Sequence, residues 1–408
     1  MTYPNSLTVL EKSLSKAPDT PVTLMAQKII EGCKAMDLQT SKELDVHKDY
    51  KKNGQLIKRN LQNPVEFNHD SVVGAPGATW AAVPLLEGEK WNEDRRRSNT
   101  GLKYDFNAQG LPQNPFLNTG LLGQGLLWHY GPNHAVDNGI LVTRKDEKDL
   151  ETLYAVGIHR MDGPGKPALS GGFLTSKQIE GRYVLNLEAA IDSRVQEFFE
   201  ELISGSITLL PEYQNRLDPE YAQEVAQRMT KRSRPLEQSK LDEIYEQTIT
   251  RLKMEQVEAL DSDFFVRLRQ VVAKGEECFA GPVLNSARAT NNAWIETRLS
   301  WVHLTDEKWQ FVKGDNPPFD YQFSSGDDAQ SVHYFEIGAD LIRESNNSHA
   351  PLFGFMAASY LLHAQENGQH IPDNIMAQMQ DMMTYLDKFQ TAHLSADLGK
   401  APNVLRQG

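Results

Sequence analysis

Cysteine is almost missing from this chain: Cys33 and Cys278 are the only two in 408 residues, and they form no CxxC or zinc-ligand spacing. That excludes a disulfide framework and a zinc ribbon, and reads as two structural thiols in a reducing compartment. Long apolar runs are missing too. Nothing approaches the ~18 consecutive apolar residues that a membrane-spanning helix needs. The opening stretch MTYPNSLTVLEKSLSK lacks the basic-then-apolar pattern of a leader. The expectation is a cytoplasmic protein with no membrane partner. Positive charge is in short supply: 42 Lys plus Arg stand against 55 Asp plus Glu, for a formal net charge of −13. This argues against a nucleic-acid partner. A small anionic ligand stays open, because local cations reverse the field inside a cleft. There is no P-loop, HExxH or GxSxG, no internal repeat and no low-complexity tract. The segment Gly120–Gly125 resembles a nucleotide glycine loop only superficially, without a convincing strand before it.

What remains is ordinary for a globular protein, with 39% hydrophobic and 24% charged residues. The length allows a substantial core spread over two or three lobes. Residues 1–70 read as a helical extension. Thr20 caps, Pro21 takes the first helical position, and Val22, Met25, Ala26, Ile29, Ile30 and Cys33 repeat on one face. Residues 71–150 read as a small N-terminal lobe, with a strand at Thr79–Leu86 that Pro84 confines to an edge or end, a loop-like charge run at Glu93–Arg97, and a strand at Ile140–Thr143. Residues 151–350 form the main domain. It holds strands near 153–158, 279–284, 293–303 and 332–337, and a helical insertion at about 218–273. The insertion's stripe is Leu241, Ile244, Tyr245, Ile249 and Leu252. Two helices, about 351–366 and 373–389, close the chain within a C-terminal segment 351–408.

The most informative stretch is Leu187–Leu202, LEAAIDSRVQEFFEEL. On a helix, Glu197, Glu200 and Glu201 are i, i+3 and i+4 neighbours. Upstream, Ser170-Gly171-Gly172-Phe173 ends a strand with a glycine pair. Clustered carboxylates beside a glycine loop suit a hard divalent cation near a diphosphate, since Mg²⁺ takes oxygen ligands, waters and phosphate oxygens. A solvated acidic face fits the same spacing, because like charges at i,i+4 cost only about 0.2–0.5 kcal/mol per pair.

The stretch resembles the Nudix box, G-x5-E-x7-R-E-U-x-E-E-x-G-U with U aliphatic. Gly172 opens it, and Glu188, seven intervening residues and Gln196-Glu197-Phe198-Phe199-Glu200-Glu201 fit its helical part. Three further segments follow in the family's order: 120–127 with Gly131-Pro132-Asn133-His134-Ala135; Arg288-Ala289-Thr290-Asn291-Asn292-Ala293-Trp294-Ile295-Glu296-Thr297; and Gly326-Asp327-Asp328-Ala329. Together they resemble the ADP-ribose pyrophosphatases of the mitochondrial type and the homologous domain of melastatin-type cation channels, over roughly residues 75–350. The chain departs from the pattern at Gln196, where the family has Arg, at Ile203 for the last glycine, and at Ser170 for a proline. A longer spacer precedes Glu188, so Glu180 competes with it for the first acidic position.

The resemblance implies an α+β fold, a Nudix α/β/α sandwich with a small N-terminal lobe and added helical segments. It implies Mg²⁺-dependent hydrolysis of a nucleoside diphosphate substrate, ADP-ribose first, with Mn²⁺ as a possible substitute. Glu197, Glu200, Glu201 and Glu188 are the implied metal ligands, with Glu197 the first candidate base. Asp328 or Asp327 is a base or a further metal contact from across the cleft, or else a helix cap. Glu296 faces the same choice between a metal contact and a buried structural hydrogen bond. Arg288, Asn292, His349 and Asn133 are the implied substrate contacts beside Gly172, with a turn as the bland reading of Asn133-His134. Ser286 stands where the family has an acidic residue. Two other readings stand beside this one: a module that binds ADP-ribose with little or no turnover, and a hydrolase of a different diphosphate. Oligomeric state is not legible.

Overall fold

The computed structural model describes residues 8–42, 51–52, 55–68, 98, 100, 102–127, 129–145, 147–160, 165–174, 178–179, 182–183, 187–216, 238–284, 286, 288–324, 329–345 and 348–398. The expected strand at Thr79–Leu86, the charge run at Glu93–Arg97, Glu180, Asp327, Asp328 and the first part of the helical insertion lie outside the described residues.

Among the described residues, seven strands build the main sheet. These are β1 (Gly131–Lys145), β2 (Glu151–Arg160), β3 (Pro167–Ala168), β4 (Ser170–Phe173), β5 (Glu276–Pro282), β6 (Ala293–His303) and β7 (Ala329–Glu336), in the order β5-β6-β1-β2-β7. β6 runs parallel to β1 from Ala293↔Gly131 to His303↔Leu141, and the other pairs are antiparallel. β1 and β2 pair only from Ile140↔Val156 to Lys145↔Glu151. On the other side of that point they separate, and the segment Pro167–Phe173 fills the fork. β3 pairs with β2 at Ile158↔Ala168, and β4 pairs with β1 from Asn138↔Ser170 to Ala135↔Phe173. The glycine pair therefore lies where the sheet opens.

Alternation along the strands gives the sheet two apolar faces. Ile140, Val142, Val156, Ile158 and Val302 pack under the helices α3 (Leu187–Leu202), α4 (Gln238–Leu260), α5 (Phe264–Ala273) and α6 (Asp306–Lys313). Leu141, Leu153, Ala155, Leu299 and Trp301 face the opposite layer. That layer comprises α1 (Thr8–Lys16), α2 (Pro21–Lys42), α7 (Ala339–Glu344), α8 (Ala350–Glu366) and α9 (Asp373–Leu398). Helices on both faces of a mixed sheet make the chain an α+β sandwich.

The helix layer explains two features of the sequence. α8 is apolar almost all round, which suits a helix enclosed on several sides; it is buried along Ala350–Leu362 between the sheet and α2. A methyl at Gly354 would strike the Cys33 sulfur, so glycine there lets α2 and α8 close on each other. Cys33 and Cys278 are both free and buried, and burial pushes both thiols above their ordinary pKa. The expected apolar face of α2 points inward, with Ala26, Ile29, Ile30 and Cys33 in the core. In the insertion, Leu252 is buried and Tyr245 is exposed. Among the described residues, no helix is long and apolar enough to cross a membrane.

Candidate functional site at the glycine pair

The rotation of α3 is set by its apolar residues. Phe198 and Phe199 are fully buried; Phe199 meets Phe265 at 5.1 Å between ring centroids and Phe264 at 6.2 Å. One turn back, the buried Arg194 ties the helix to the sheet. Its Nε donates to Asn138 Oδ1 (3.2 Å), a terminal guanidinium nitrogen donates to the Ser300 carbonyl (3.3 Å), and Asn138 Nδ2 returns a bond to the Arg194 carbonyl (3.0 Å). Burial pulls the Arg194 guanidinium down to about 10. With these contacts in place, the face bearing Glu197, Glu200 and Glu201 meets β4.

There the glycines have a use. The Gly171 amide donates to Glu201 Oε2 at 2.8 Å, and Glu201 is only 4% exposed. At Gly172 a methyl would land in the Glu197 carboxylate. Any side chain at 172 would displace that glutamate, which is why a bare backbone position stands opposite it. Glu197 and Glu200 are both partly buried, and the exposed Gln196 donates through Nε2 to Glu200 Oε1 at 2.9 Å. Glu188 belongs to the same helix, in its first turn.

On β1, Asp137 stands opposite Gly171 and is buried. It accepts a hydrogen bond from Thr297 Oγ1 (2.5 Å), and its Oδ1 lies 3.9 Å from His349 Nδ1. The Leu169 amide donates to that same Nδ1 at 3.3 Å. His349, just ahead of α8, is thereby joined to the strand that carries the glycine pair. Sequence reasoning passed over Asp137, Thr297 and Arg194. No spacing signals them, because the groups they join come from β1, β6, α3 and the start of α8. The one hint in the sequence is a lone acid in the otherwise uncharged run Ala135-Val136-Asp137-Asn138-Gly139-Ile140.

The other expected contacts gather elsewhere. Asn133 stands in β1, past the turn that the sequence suggested for it; its side chain closes that turn, accepting from the His129 amide (3.1 Å) and donating to the His129 carbonyl (2.8 Å). Asn292 accepts from the Gly123 amide (2.9 Å) and donates to the Pro112 carbonyl (2.9 Å). Arg288 is partly buried in the β5–β6 loop, where its backbone carbonyl packs on Gly125. Glu296 is fully buried and accepts from Trp294 Nε1 at 2.9 Å. The segment 121–125 is a short strand, paired in parallel with Val65–Asn68. These loops reach the glycine strand through an apolar cluster of Leu127, Ala293 and Ile295 with Phe173.

Among the described residues, no three His, Cys, Asp or Glu side chains form a ready-made metal cage. A hydrated Mg²⁺ asks for less, one or two carboxylates with waters and phosphate oxygens completing the set. Glu197 and Glu201, seated on consecutive glycines, offer that all-oxygen donor set.

No family model matches the chain. Over 137 residues, 30% of this chain and 38% of the relative, it is 35% identical to a protein named ADP-ribose pyrophosphatase, mitochondrial, from Rattus norvegicus. Over 105 residues, 24% of this chain and 38% of the relative, it is 37% identical to "Putative nudix hydrolase 6" of Caenorhabditis elegans. The chain thus spans well under half the length of these curated relatives. It is related to the Nudix hydrolases.

Proposed function

We propose that the chain hydrolyses the diphosphate of ADP-ribose to AMP and ribose 5-phosphate, using Mg²⁺ or, in its place, Mn²⁺. The observation that carries this reading is the seating of Glu197 and Glu201 against Gly172 and Gly171, which gathers two carboxylates of the helix at one glycine strand. Glu197, Glu200 and Glu201 would hold the ion, with Glu188 and Asp328 as further carboxylates. Bound there, a divalent ion supplies an activated water and neutralises charge on the phosphoryl oxygens.

The chain's own groups do the rest. Glu197 takes the proton of the attacking water. Arg288 supplies the guanidinium for phosphate or ribose oxygens. His349 contacts the ligand from beside Asp137, and Asn133 and Asn292 act by holding the loops around it. The name of the rat relative supports ADP-ribose over other nucleoside diphosphates.

Incubation with Mg²⁺ and a panel of ADP-ribose, NADH, dinucleoside polyphosphates and nucleotide sugars tests the proposal. AMP and ribose 5-phosphate from ADP-ribose are the expected products; preferential cleavage of another panel member moves the assignment to that substrate. Gln196 favours a second reading, a binding module without turnover, because a neutral amide replaces a guanidinium beside Glu200. Tight ADP-ribose binding with no products establishes that one instead.

A further inference from the structure

Away from α3, β2 and β7 bring a second set of donors together. In their antiparallel register Ser331 stands opposite His159, and His333 opposite Gly157, so the three polar side chains share one face of the sheet. The imidazole centroids of His159 and His333 are 4.3 Å apart. Phe335, next along that face, backs both rings, at 5.2 Å from His159 and 5.7 Å from His333. His159 Nδ1 and His333 Nε2 converge on the Ser331 hydroxyl oxygen between them, at 3.3 and 2.6 Å. A hydroxyl has one proton and donates to only one of the rings at a time. Two imidazole nitrogens and an oxygen are thus held within a volume the size of an ion's inner shell.

We propose that His159 and His333 chelate a divalent transition metal such as Zn²⁺, with the Ser331 hydroxyl or water completing its coordination. The site is separate from the carboxylates of α3 and takes a different class of ion. Imidazole suits Zn²⁺, Cu²⁺ and Ni²⁺, whereas Mg²⁺ prefers oxygen. His333 is exposed, so an ion enters from solvent. Diphosphate hydrolysis makes no use of this pair, and the two histidines are far apart in sequence, so no local spacing announces them.

Calorimetric titration of the full chain with Zn²⁺ in Mg²⁺-containing buffer is the test, on wild type, His159→Gln, His333→Gln and the double variant. The expected result is one Zn²⁺ bound by wild type. Each single variant should weaken it by at least the roughly 10–100-fold that even an outer-shell loss costs. Ser331→Ala should keep the ion. Thermal melts without Zn²⁺ establish that the variants are folded. With Zn²⁺, Tm should rise for wild type and stay put for the double variant, because an ion that binds only the folded pair stabilises it by mass action. Zn²⁺ uptake that is the same in wild type and double variant, whether absent from both or equal in both, overturns the proposal. The readout does not depend on turnover, so failure here is distinct from failure of the hydrolase reading.

Discussion

Asn292 and Glu201 are both buried polar side chains on segments that resemble one family, yet they are used in opposite ways. The amide of Asn292 bonds the Gly123 amide on one side and the Pro112 carbonyl on the other. Its neighbour Asn291 likewise takes the Thr119 amide (2.6 Å) and donates to Asn118 (3.0 Å). Asparagine both donates and accepts, so it closes loops by itself. The carboxylates of α3 only accept, each with about four lone-pair sites, and the Gly171 amide donates to one oxygen of Glu201. The difference separates scaffold from chemistry: one region spends its polar atoms on backbone, and the other presents negative charge to a glycine strand.

Glu197→Gln cuts deepest into that contrast. It keeps the shape and removes the charge, so kcat on ADP-ribose should fall by on the order of 10²–10³-fold, with Tm unchanged or raised. A lower Tm with unchanged kcat would put Glu197 in the scaffold class. Gly172→Ala comes next. Its methyl meets the Glu197 carboxylate, so kcat should drop alongside about 1–3 kcal/mol of stability, read in a denaturant melt. Asn292→Ala should do the reverse of Glu197→Gln. Leaving the Gly123 amide and the Pro112 carbonyl unsatisfied costs about 1–3 kcal/mol, while kcat stays near the wild-type value. A large rise in KM at full stability would return Asn292 to the ligand.

The local parts of this division were readable in the sequence. The i, i+3, i+4 glutamates and the apolar residues between them put α3 and its acidic face in place, and the strand expected at residues 293–303 has the bounds of β6. The sequence places the glycine pair where a strand ends and a loop begins; both glycines lie inside the strand, held against the glutamates. What spacing does not carry is the fork between β1 and β2. Asp137 and Thr297 meet across the parallel β1–β6 pair, and His349 is joined to them at Asp137 and at Leu169, which lies in the segment that fills the fork. Arg194 was missed for a related reason: an arginine on an acidic helix reads as surface charge until Asn138 and Ser300 are seen beneath it.

Gln196→Arg is the mildest change and separates enzyme from binding module. Gln196 is exposed and its bond to Glu200 spans i to i+4, a contact worth only about 0.2–0.5 kcal/mol, so stability should barely move. A guanidinium at 196 makes a charge-assisted, fork-shaped contact in place of a neutral one. If Glu200 serves turnover, holding it more firmly should raise kcat by roughly two- to fivefold, or about 0.5–1 kcal/mol, with little change in KM. In a binding module the same substitution leaves ADP-ribose affinity where it was and yields no product. The distinction holds because Gln196 is exposed and touches Glu200, so the substitution changes how that carboxylate is held.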